Sequence, residues 1–429
     1  MSNKVVLANA KRIHMIGVGG IGMSGLARLF LHEGKEVSGS DRAPSDITNS
    51  LEHEGVKFYS SQEASNVESS IDMVVYTEAM SHDHPEMVAA AALGVPMMNY
   101  FEALGLVANQ YYLIAVAGTH GKTTTTAMLI DIFEDAGFDP TAIVGSLRSK
   151  TKSNYRAGKS KYFIVEACEY RRDFMYLEPD ILVFTNIEAE HLDYYKDLAD
   201  VQSAFRELAQ KVREGGAVVA QIADPNVAPI LEGLNVEVID YKKHLDLALP
   251  LKVPGVHNRM NAAAALAAAA KAGITPEVSK AALSNFAGTW RRFEYKGEVN
   301  GAAVYDDYGH HPTEIRATIS GTRELYPERK LTLVYQPHMY SRTDALFEDF
   351  TDALALADEV ILVPIYAARE VNESGVSSEK LALAIGSKAI AVLGLNEAVE
   401  RVRGTVGDDS VVLVMGAGDV TKIASDLTS

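Results

Sequence analysis

Short apolar runs alternate with longer stretches of helical pattern along this chain, and glycine or polar residues follow most of the runs. That alternation is typical of α/β proteins whose sheets are mainly parallel. The runs that we interpret as strands lie at residues 12–16, 36–40, 72–77, 111–116, 162–166, 181–184, 331–336, 359–365 and 411–415. Helical patterns end at residue 33 and extend over 85–93, 127–136 and 262–272, with a short apolar turn at 95–99.

The run at 111–116 leads through a glycine turn into a helical pattern. Such a turn directs backbone N–H groups and the positive end of a helix dipole at one point, where Lys122 adds a charge and Thr123 a hydroxyl suited to Mg²⁺. Val116 occupies a position that is glycine in the full Walker A pattern. A glycine-hinged corner without a ligand would leave Lys122 unexplained, so we predict a site for a nucleoside triphosphate. Its predicted contacts are Gly118, Thr119, His120, Gly121, Lys122, Thr123 and Thr124.

Length and composition favour a globular protein with more than one core. The chain has 429 residues, of which 47% are hydrophobic and 23% charged, and a single core rarely extends over so many residues. We predict a Rossmann-like N-terminal domain at 1–110, a central P-loop domain with a mainly parallel sheet at 111–289, and a Rossmann-like C-terminal domain at 290–429.

Charge and cysteine content restrict the partners and the compartment. A formal net charge of -17 and a pI near 5.2 are unfavourable for binding nucleic acid, whose phosphates attract basic patches. Cys168 is the single cysteine, which excludes an intrachain disulfide and fits a reducing compartment. Neither a signal-peptide core nor an apolar run of membrane-spanning length is evident, so we expect a cytoplasmic protein without membrane insertion.

The first strand enters a G-x-G-x-x-G turn that begins at Gly17, and the second strand ends at Asp41. An acid about twenty residues after the glycines is typical of dinucleotide sites, where it holds ribose hydroxyls. This pattern alone does not distinguish NAD from a UDP-sugar, and a packing turn without a ligand is the alternative. We assign ligand contacts in this domain to Gly19, Gly20, Ile21, Gly22, Ser40 and Asp41.

Two strand ends in the central domain carry candidate metal ligands. Glu166 ends the strand at 162–166, and His191 follows the strand at 181–184. The carboxyl ends of parallel strands line one crevice, so we expect both side chains to approach the cation beside Thr123. Solvated loop positions are the alternative for each residue alone. Mg²⁺ prefers oxygen ligands, which His191 does not offer.

Polar residues precede the alanine-rich helix and follow strands of the C-terminal domain. His257, Asn258 and Asn261 stand at the start of the helical pattern, where they either cap the helix or contact an adenine edge. The polar stretches at 306–314 and 336–343 adjoin apolar strands and favour a ligand-facing role over structural turns.

Taken together, these motifs resemble those of the Mur ligase family. The resemblance extends from about Ile13 to Asp419 and depends on the following segments: the glycine turns at 17–25 and 118–126, Thr185-Asn-Ile-Glu188 with His191, His257-Asn258, Arg291-Arg292-Phe293, the stretch at 306–314, and Gln336-Pro-His338. It implies three domains, which bind a UDP-sugar, bind ATP, and close over both to receive an amino acid. The implied reaction uses ATP to phosphorylate the lactyl carboxylate of UDP-N-acetylmuramate, and L-alanine then attacks the acyl phosphate.

The resemblance also implies roles for individual residues. The implied catalytic residues are Lys122, His191, Arg292 and His310, and the implied ligands of Mg²⁺ are Thr123, Glu166 and His191. Asn258 and Asn261 match adenine contacts, while Arg292 and Asp307 would approach the nucleotide on domain closure. His120 would face the substrate carboxylate, and His338 and Arg342 would receive the amino acid.

Two positions depart from the family pattern. Cys168 stands where many relatives have aspartate, and Met339 stands where many have arginine, which leaves Arg342 and His338 for the incoming carboxylate. Three alternatives are a ligase that recycles a tripeptide onto the same UDP-sugar, a non-catalytic nucleotide-binding scaffold, and an NAD-dependent oxidoreductase. We expect a monomer or a weak homodimer.

Overall fold

The computed structural model describes residues 3–81, 83–192, 194–368 and 370–429. The chain divides into two compact units. The first contains Met1–Leu249 and Met260–Phe286, and the second contains Pro250–Arg259 and Ala287–Ser429. Each unit is built from mainly parallel sheets with helices between the strands.

The first unit begins with a parallel sheet whose described strands lie in the order β3-β2-β1-β4-β5. These strands are β1 (Arg12–Ile16), β2 (Glu36–Ser40), β3 (Lys57–Tyr59), β4 (Met73–Tyr76) and β5 (Met97–Asn99). The helices are α1 (Asn3–Asn9), α2 (Ile21–His32), α3 (Asp46–Glu54), α4 (Pro85–Leu93) and α5 (Tyr100–Ala108), with a 3₁₀ turn at Ala64–Asn66. Helix α2 starts directly after the glycine turn because Gly17, at φ +80°, reverses the chain there.

The sequence pattern of this sheet is confirmed at β1, β2, β4 and α4. The prediction of an apolar turn at 95–99 is wrong, because Met97–Asn99 forms the edge strand β5. Its backbone pairs in parallel with β4, as in the partners Val74 and Met97. Three residues are too few to show a strand period in the sequence, so pairing with a neighbour decides the structure of this segment.

The second sheet of the first unit has the described order β12-β11-β10-β6-β9-β7-β8, and only β8 is antiparallel to its neighbour. Its strands are β6 (Tyr112–Ala117), β7 (Thr141–Ile143), β8 (Tyr155–Arg156), β9 (Tyr162–Glu166), β10 (Ile181–Phe184), β11 (Ala217–Ala220) and β12 (Glu237–Asp240). The helices are α6 (Lys122–Asp135), α7 (Leu198–Ala209), α8 (Ala228–Leu231), α9 (Val256–Lys271), which belongs to this unit from Met260 onward, and α10 (Pro276–Asn285), with 3₁₀ turns at Tyr170–Tyr176 and Tyr241–His244. Strands β9 and β10 flank β6, so the carboxyl ends of these three strands adjoin one another.

Two helices in this region start earlier than the sequence pattern predicts. Helix α6 begins at Lys122 rather than 127, where the amide of Thr125 donates to Gly121 O at 2.9 Å and the hydroxyl of Thr126 to Lys122 O at 2.8 Å. Four β-branched threonines hide this first turn from a propensity argument. Helix α9 begins at Val256 rather than 262, so His257, Asn258 and Asn261 lie inside its first two turns and do not precede it.

The second unit contains a sheet with the described order β13-β14-β18-β15-β16-β17, parallel except for β13. Its strands are β13 (Glu294–Val299), β14 (Ala302–Asp307), β15 (Lys330–Tyr335), β16 (Glu359–Leu362), β17 (Ala389–Ala391) and β18 (Ser410–Met415). The helices are α11 (Pro312–Leu325), α12 (Tyr340–Ala345), α13 (Phe347–Leu354), α14 (Ser378–Ile385), α15 (Leu395–Thr405) and α16 (Thr421–Leu427). The predicted strands at 331–336 and 411–415 are confirmed, and the one at 359–365 ends earlier, at Leu362.

Aromatic residues anchor the core beside the second sheet. The ring of Phe205, on α7, lies 5.3 Å from that of Phe174 and 5.5 Å from that of Phe184, and all three side chains are buried. Among the helices of the described residues, none has the length and apolar character that crossing a membrane requires.

Replacing Phe205 by alanine should therefore destabilise the first unit. Loss of the ring removes buried apolar surface and leaves a cavity that rigid neighbours fill poorly, at a cost of about 3–5 kcal/mol in the free energy of unfolding. Urea unfolding followed by circular dichroism measures the effect. Leu247→Ala is the control in the same unit, because Leu247 is 61% exposed and its loss should cost less than about 0.5 kcal/mol. Equal midpoints for the two variants would contradict this account of the core.

Candidate active site

The turn between β6 and α6 is shaped by glycines that have no room for a side chain. Gly118, at φ +136°, and Gly121, at φ +83°, both adopt left-handed backbone conformations. A Cβ atom on Gly118 would overlap Thr185 Oγ1, and one on Gly121 would overlap Asn261 Oδ1. The backbone of the turn therefore packs directly against the residues after β10 and against helix α9.

Two polar residues directly after β10 hold the turn in this shape. Asn186 accepts a hydrogen bond from the backbone amide of His120 at 2.9 Å and donates its own amide to His120 O at 3.0 Å. The hydroxyl of Thr185 donates to the same carbonyl at 2.6 Å. In the sequence, these two residues stand out only as part of the motif at 185–188. Their position at the exit of an apolar strand was the available signal for a supporting role.

Lys122 is folded back over its own turn and is largely buried. Its ammonium donates to the carbonyls of Gly118 at 2.5 Å and Thr119 at 3.0 Å, and to a carboxylate oxygen of Glu169 at 2.9 Å. Burial tends to lower the pKa of Lys122, but the acidic groups around it, Glu169 first, together outweigh burial and raise the pKa above its ordinary value. Lys122 therefore stays charged at neutral pH.

Glu169 is the ion-pair partner of Lys122, a role that was not predicted from the sequence. Its side chain is 3% exposed. Burial tends to raise the pKa of Glu169, but the neighbouring charge of Lys122 and a contact with His191 hold it below its ordinary value. A charge this deeply buried is unfavourable without an opposite charge beside it, and Lys122 and Glu169 compensate each other in this way. The spacing of Glu169 three residues after Glu166 was the only sequence signal.

Thr123 and Glu166, two of the three predicted metal ligands, are in direct contact. The hydroxyl of Thr123 donates to Glu166 Oε1 at 3.0 Å, and the backbone amide of Gly145 donates to Glu166 Oε2 at 2.9 Å. A Cβ atom at position 145 would overlap the Glu166 carboxylate. Glycine at position 145 therefore lets Glu166 keep its carboxylate next to the predicted phosphate turn between β6 and α6, where any other residue would displace it.

His191, the third predicted metal ligand, lies beside Glu169. Its Nε2 atom is 3.5 Å from Glu169 Oε1, and its ring packs at 4.9 Å from that of Tyr170. His191 has a φ of +56°, a left-handed conformation that is uncommon for a residue with a side chain. The structure thus brings Lys122, Glu169 and His191 into one polar cluster.

A pocket of about 360 Å³ joins the first sheet to this site within the first unit. The glycine turn of the first sheet, including Gly20, Ile21 and Gly22, forms one part of its lining, and Glu166 and Cys168 form another. The thiol of Cys168 has its pKa raised to about 12 by burial and by the charge of Glu169, so it is neutral at physiological pH. One pocket therefore contains contacts predicted for the UDP-sugar together with a ligand predicted for the metal.

Asp41 and Ser40, two of the ligand contacts predicted in the first domain, form hydrogen bonds inside the protein. Asp41 Oδ2 accepts the backbone amide of Gly19 at 2.8 Å, so this carboxylate supports the glycine turn itself. The side chain of Ser40 is fully buried, and its hydroxyl donates to Glu86 at 2.6 Å. Ser40 thus points away from solvent, and its assignment to a ligand stays a prediction.

The residues predicted to contact adenine are buried in helix α9. Asn261, in the first unit, is 7% exposed and lies against Gly121. Asn258, in the second unit, donates its amide to Pro254 O at 2.7 Å. Burial lowers the pKa of the neighbouring His257 to about 4, so its imidazole is neutral.

In the second unit, Asp307 is held by two backbone amides at the end of β14. It accepts from Phe293 at 2.8 Å and from Gly309 at 2.7 Å. Burial raises the pKa of Asp307 to about 6, although the nearby charge of Arg292 opposes this. The guanidinium of Arg292 packs 5.2 Å from the centre of the Tyr308 ring.

His310, His338 and Arg342 form a cluster in the second unit. The rings of His310 and His338 lie 6.0 Å apart, and Arg342 Nη1 is 3.4 Å from His338 Nδ1. The ring of His338 stacks on that of Tyr366 at 5.6 Å. Burial, the neighbouring His310 and the charge of Arg342 lower the pKa of His338 to about 4. These three residues, predicted from two separate stretches, therefore meet at one site, next to Met339, whose φ is +71°.

Three regions of the chain match models of known protein families. Residues 12–112 match the "Mur ligase family, catalytic domain", 116–247 the "Mur ligase middle domain", and 291–418 the "Mur ligase, glutamate ligase domain". The UDP-N-acetylmuramate–L-alanine ligases of Agathobacter rectalis and Lachnospira eligens are 42% and 40% identical, each alignment covering 99% of both chains. A crystal structure of the UDP-N-acetylmuramate–alanine ligase of Thermotoga maritima has a TM-score of 0.82 at 28% identity, over 97% of this chain and 98% of that one.

The expected three-domain architecture with mainly parallel α/β sheets is confirmed by these matches, while the boundaries at 110 and 289 stay predictions. The identity extends over nearly the whole length of both sequences. This chain belongs to the Mur ligase family.

Proposed function

We propose that the chain is an ATP-dependent ligase that joins L-alanine to the lactyl carboxylate of UDP-N-acetylmuramate in peptidoglycan precursor synthesis. One observation carries the proposal: a single pocket is lined both by the glycine turn of the first sheet and by Glu166, whose carboxylate contacts the phosphate turn through Thr123. A UDP-sugar on the first turn and ATP on the second would place their reacting groups together. We expect the protein to act in the cytoplasm.

The phosphate turn supports the first step, in which the substrate carboxylate attacks the γ-phosphate. This attack brings several anionic oxygens together, and a positioned cation lowers its barrier. Lys122 remains charged inside the turn because of Glu169. The N-terminus of α6 adds backbone N–H groups and a dipole of the same sign. The products of this step are ADP and an acyl phosphate; the amine of L-alanine then attacks the acyl carbon and forms the amide bond, with loss of phosphate and a proton.

Two of the three residues proposed to bind Mg²⁺ offer the oxygen ligands that this ion prefers. The hydroxyl of Thr123 and the carboxylate of Glu166 are hard oxygen donors 3.0 Å apart, a donor set that Mg²⁺ prefers. When bound, Mg²⁺ would neutralise phosphate oxygens. His191, as a nitrogen donor beside Glu169, fits less well and serves in our proposal mainly to hold Glu169.

The second unit supplies the proposed acceptor site. Arg342 can bind the α-carboxylate of the amino acid with two parallel charge-assisted hydrogen bonds. His338 is neutral at pH 7, since the pKa of its imidazole is about 4, and His310 lies beside it. We assign Arg292 and Asp307 to the nucleotide, and Asn258 and Asn261 to adenine.

The alternatives make different demands on substrates. A tripeptide-recycling ligase would prefer a peptide to L-alanine, and the identity to L-alanine ligases disfavours it. A non-catalytic scaffold would not need Lys122, Thr123 and Glu166 together. An NAD-dependent oxidoreductase would leave the phosphate turn without a role. Product mass spectrometry with UDP-N-acetylmuramate, Mg-ATP and a mixture of amino acids and tripeptide distinguishes among them.

ADP release should require UDP-N-acetylmuramate and L-alanine together. The acyl phosphate forms only with the carboxylate in place, and turnover continues only when the amine consumes it. A coupled ADP assay with each substrate omitted in turn measures this dependence. ATP hydrolysis that is indifferent to the UDP-sugar would contradict the mechanism.

Lys122→Ala should lower turnover by orders of magnitude while the UDP-sugar still binds. The substitution removes the cation from the phosphate turn, whereas the glycine turn of the first sheet keeps its own support from Asp41. Steady-state kinetics and calorimetric titration of UDP-N-acetylmuramate provide the two measurements. Lys159→Ala, at an exposed position of the same unit, is the control for loss of a lysine. Turnover close to that of the unsubstituted protein would exclude the role given to Lys122.

Arg342→Ala should weaken L-alanine binding by about 1.5–3 kcal/mol, roughly 10- to 150-fold, because a charge-assisted bidentate contact is lost. Arg342→Lys should recover only part, and affinity for ATP and the UDP-sugar should barely change. The control is Arg316→Ala, which removes a partly exposed arginine from helix α11. Separate titrations of the three substrates decide the outcome. Equal weakening of all three would show that Arg342 only braces its own loop.

A further inference from the structure

A fully buried asparagine connects the two sheets of the first unit. Asn154 lies just before β8, and its side chain has 0% exposure. Its amide nitrogen donates to the carbonyl of Ile21, the first residue of α2, and to Ser24 Oγ at 3.0 Å. Its amide oxygen accepts from Arg28 Nη1 at 2.7 Å. Both amide hydrogens and the oxygen are thus used, all toward the helix that follows the glycine turn.

The donor and acceptor pattern of this contact is specific to an amide. A carboxylate at position 154 could still accept from Arg28, but it would place an oxygen against the carbonyl of Ile21 and repel it. Arg28 is oriented from its other side by Glu54, at 2.8 Å. Arg28 is therefore held in the orientation in which it donates a hydrogen bond to the amide oxygen of Asn154.

Helix α2 and the β7–β8 hairpin are packed too closely to slide past each other. A Cβ atom on Gly25 would lie 2.9 Å from Ile143 Cγ2 and 3.3 Å from Asn154 Nδ2. Such distances leave no space for a side chain at position 25, so the helix backbone lies directly on the hairpin. The hydrogen bonds of Asn154 and the close packing at Gly25 both fix the distance between helix α2 and the β7–β8 hairpin.

The contact continues through the hairpin to the phosphate turn. The backbone carbonyl of Asn154 accepts the amide of Val144 at 3.0 Å. The next residue, Gly145, donates to Glu166, and Glu166 accepts from Thr123. Ile21, Val144, Gly145 and Glu166 all line the 360 Å³ pocket. One line of hydrogen bonds therefore connects the start of α2 with the first turn of α6 along the wall of that pocket.

We propose that Asn154 is a positioning residue for the ligation, an inference that rests on the function proposed above. It fixes the distance and orientation between the glycine turn that holds the UDP-sugar and the turn that holds the γ-phosphate. Asn154 is outside the sequence motifs and is not among the residues that line the pocket. Its effect is on alignment, and a shift of about 1 Å between reacting groups can cost on the order of 100-fold in rate.

The test is Asn154→Asp in the full-length chain, assayed with UDP-N-acetylmuramate, Mg-ATP and L-alanine. We expect kcat to fall about 10- to 100-fold, in line with that misalignment cost, and KM for the UDP-sugar to rise several-fold, while KM for ATP stays within about twofold. We also expect more than one ADP per molecule of ligated product, since a misaligned acyl phosphate is open to water. A purely structural role would lower the folded fraction and leave this ratio and both KM values unchanged.

Two further variants make the test decisive. Asn109→Asp is the matched control, because Asn109 also donates to a backbone carbonyl between the same two sheets, that of Tyr176 at 2.9 Å, and does not line the pocket. Ser24→Ala removes one of the two acceptors of the Asn154 amide and should raise the ADP-to-product ratio in the same direction, even if Asn154→Asp does not fold.

The outcomes separate this inference from the proposed function. Asn109→Asp with normal kinetics, beside Asn154→Asp or Ser24→Ala with a raised ADP-to-product ratio, supports it. Tight coupling and unchanged KM values in the folded variants, with an active unsubstituted protein, overturn the inference alone. An unsubstituted protein that forms no product overturns the proposed function, and the inference with it.

Discussion

The ion pair between Lys122 and Glu169 is the interaction on which the rest of the site depends. Both charges lie almost entirely out of water, and each would be strongly unfavourable without the other. The ammonium of Lys122 also donates hydrogen bonds to two backbone carbonyls of its own turn, which keep the turn folded around the charge. Glu169 follows strand β9 by three residues and strand β6 leads into the turn, so the pairing of these neighbouring strands brings the two charges together.

Close backbone packing gives this site its shape. Positions 25, 118, 121 and 145 are glycines at which a Cβ atom would meet or closely approach a neighbouring side chain. Each allows a polar group, from Asn154, Thr185, Asn261 or Glu166 respectively, to lie against the main chain. Each of these polar groups is thereby packed against the main chain, where it moves less than an exposed side chain does.

The two departures from the family pattern have different physical consequences. Cys168 places a neutral thiol in the pocket at a position where the family pattern predicts aspartate, so the negative charge of the pocket lining comes from Glu166. Met339 removes a cation from the proposed acceptor site, where Arg342 and a neutral His338 remain. The first change would alter the electrostatic field around phosphates bound at the turn, and the second would make the proposed acceptor site depend on fewer charges.

The sequence by itself determined the α/β class, most strands, the phosphate turn and the family, because alternating hydrophobicity and glycine turns are local patterns. It also selected His310, His338 and Arg342, which the fold brings together. Only the tertiary structure decided that Met97–Asn99 is a strand, that α6 and α9 begin earlier, and that Ser40 is buried against Glu86. It alone revealed the partners Glu169 and Asn154. These features depend on atoms that are distant along the chain, as Asn154 is from Ile21, and no local pattern in one sequence records such a contact.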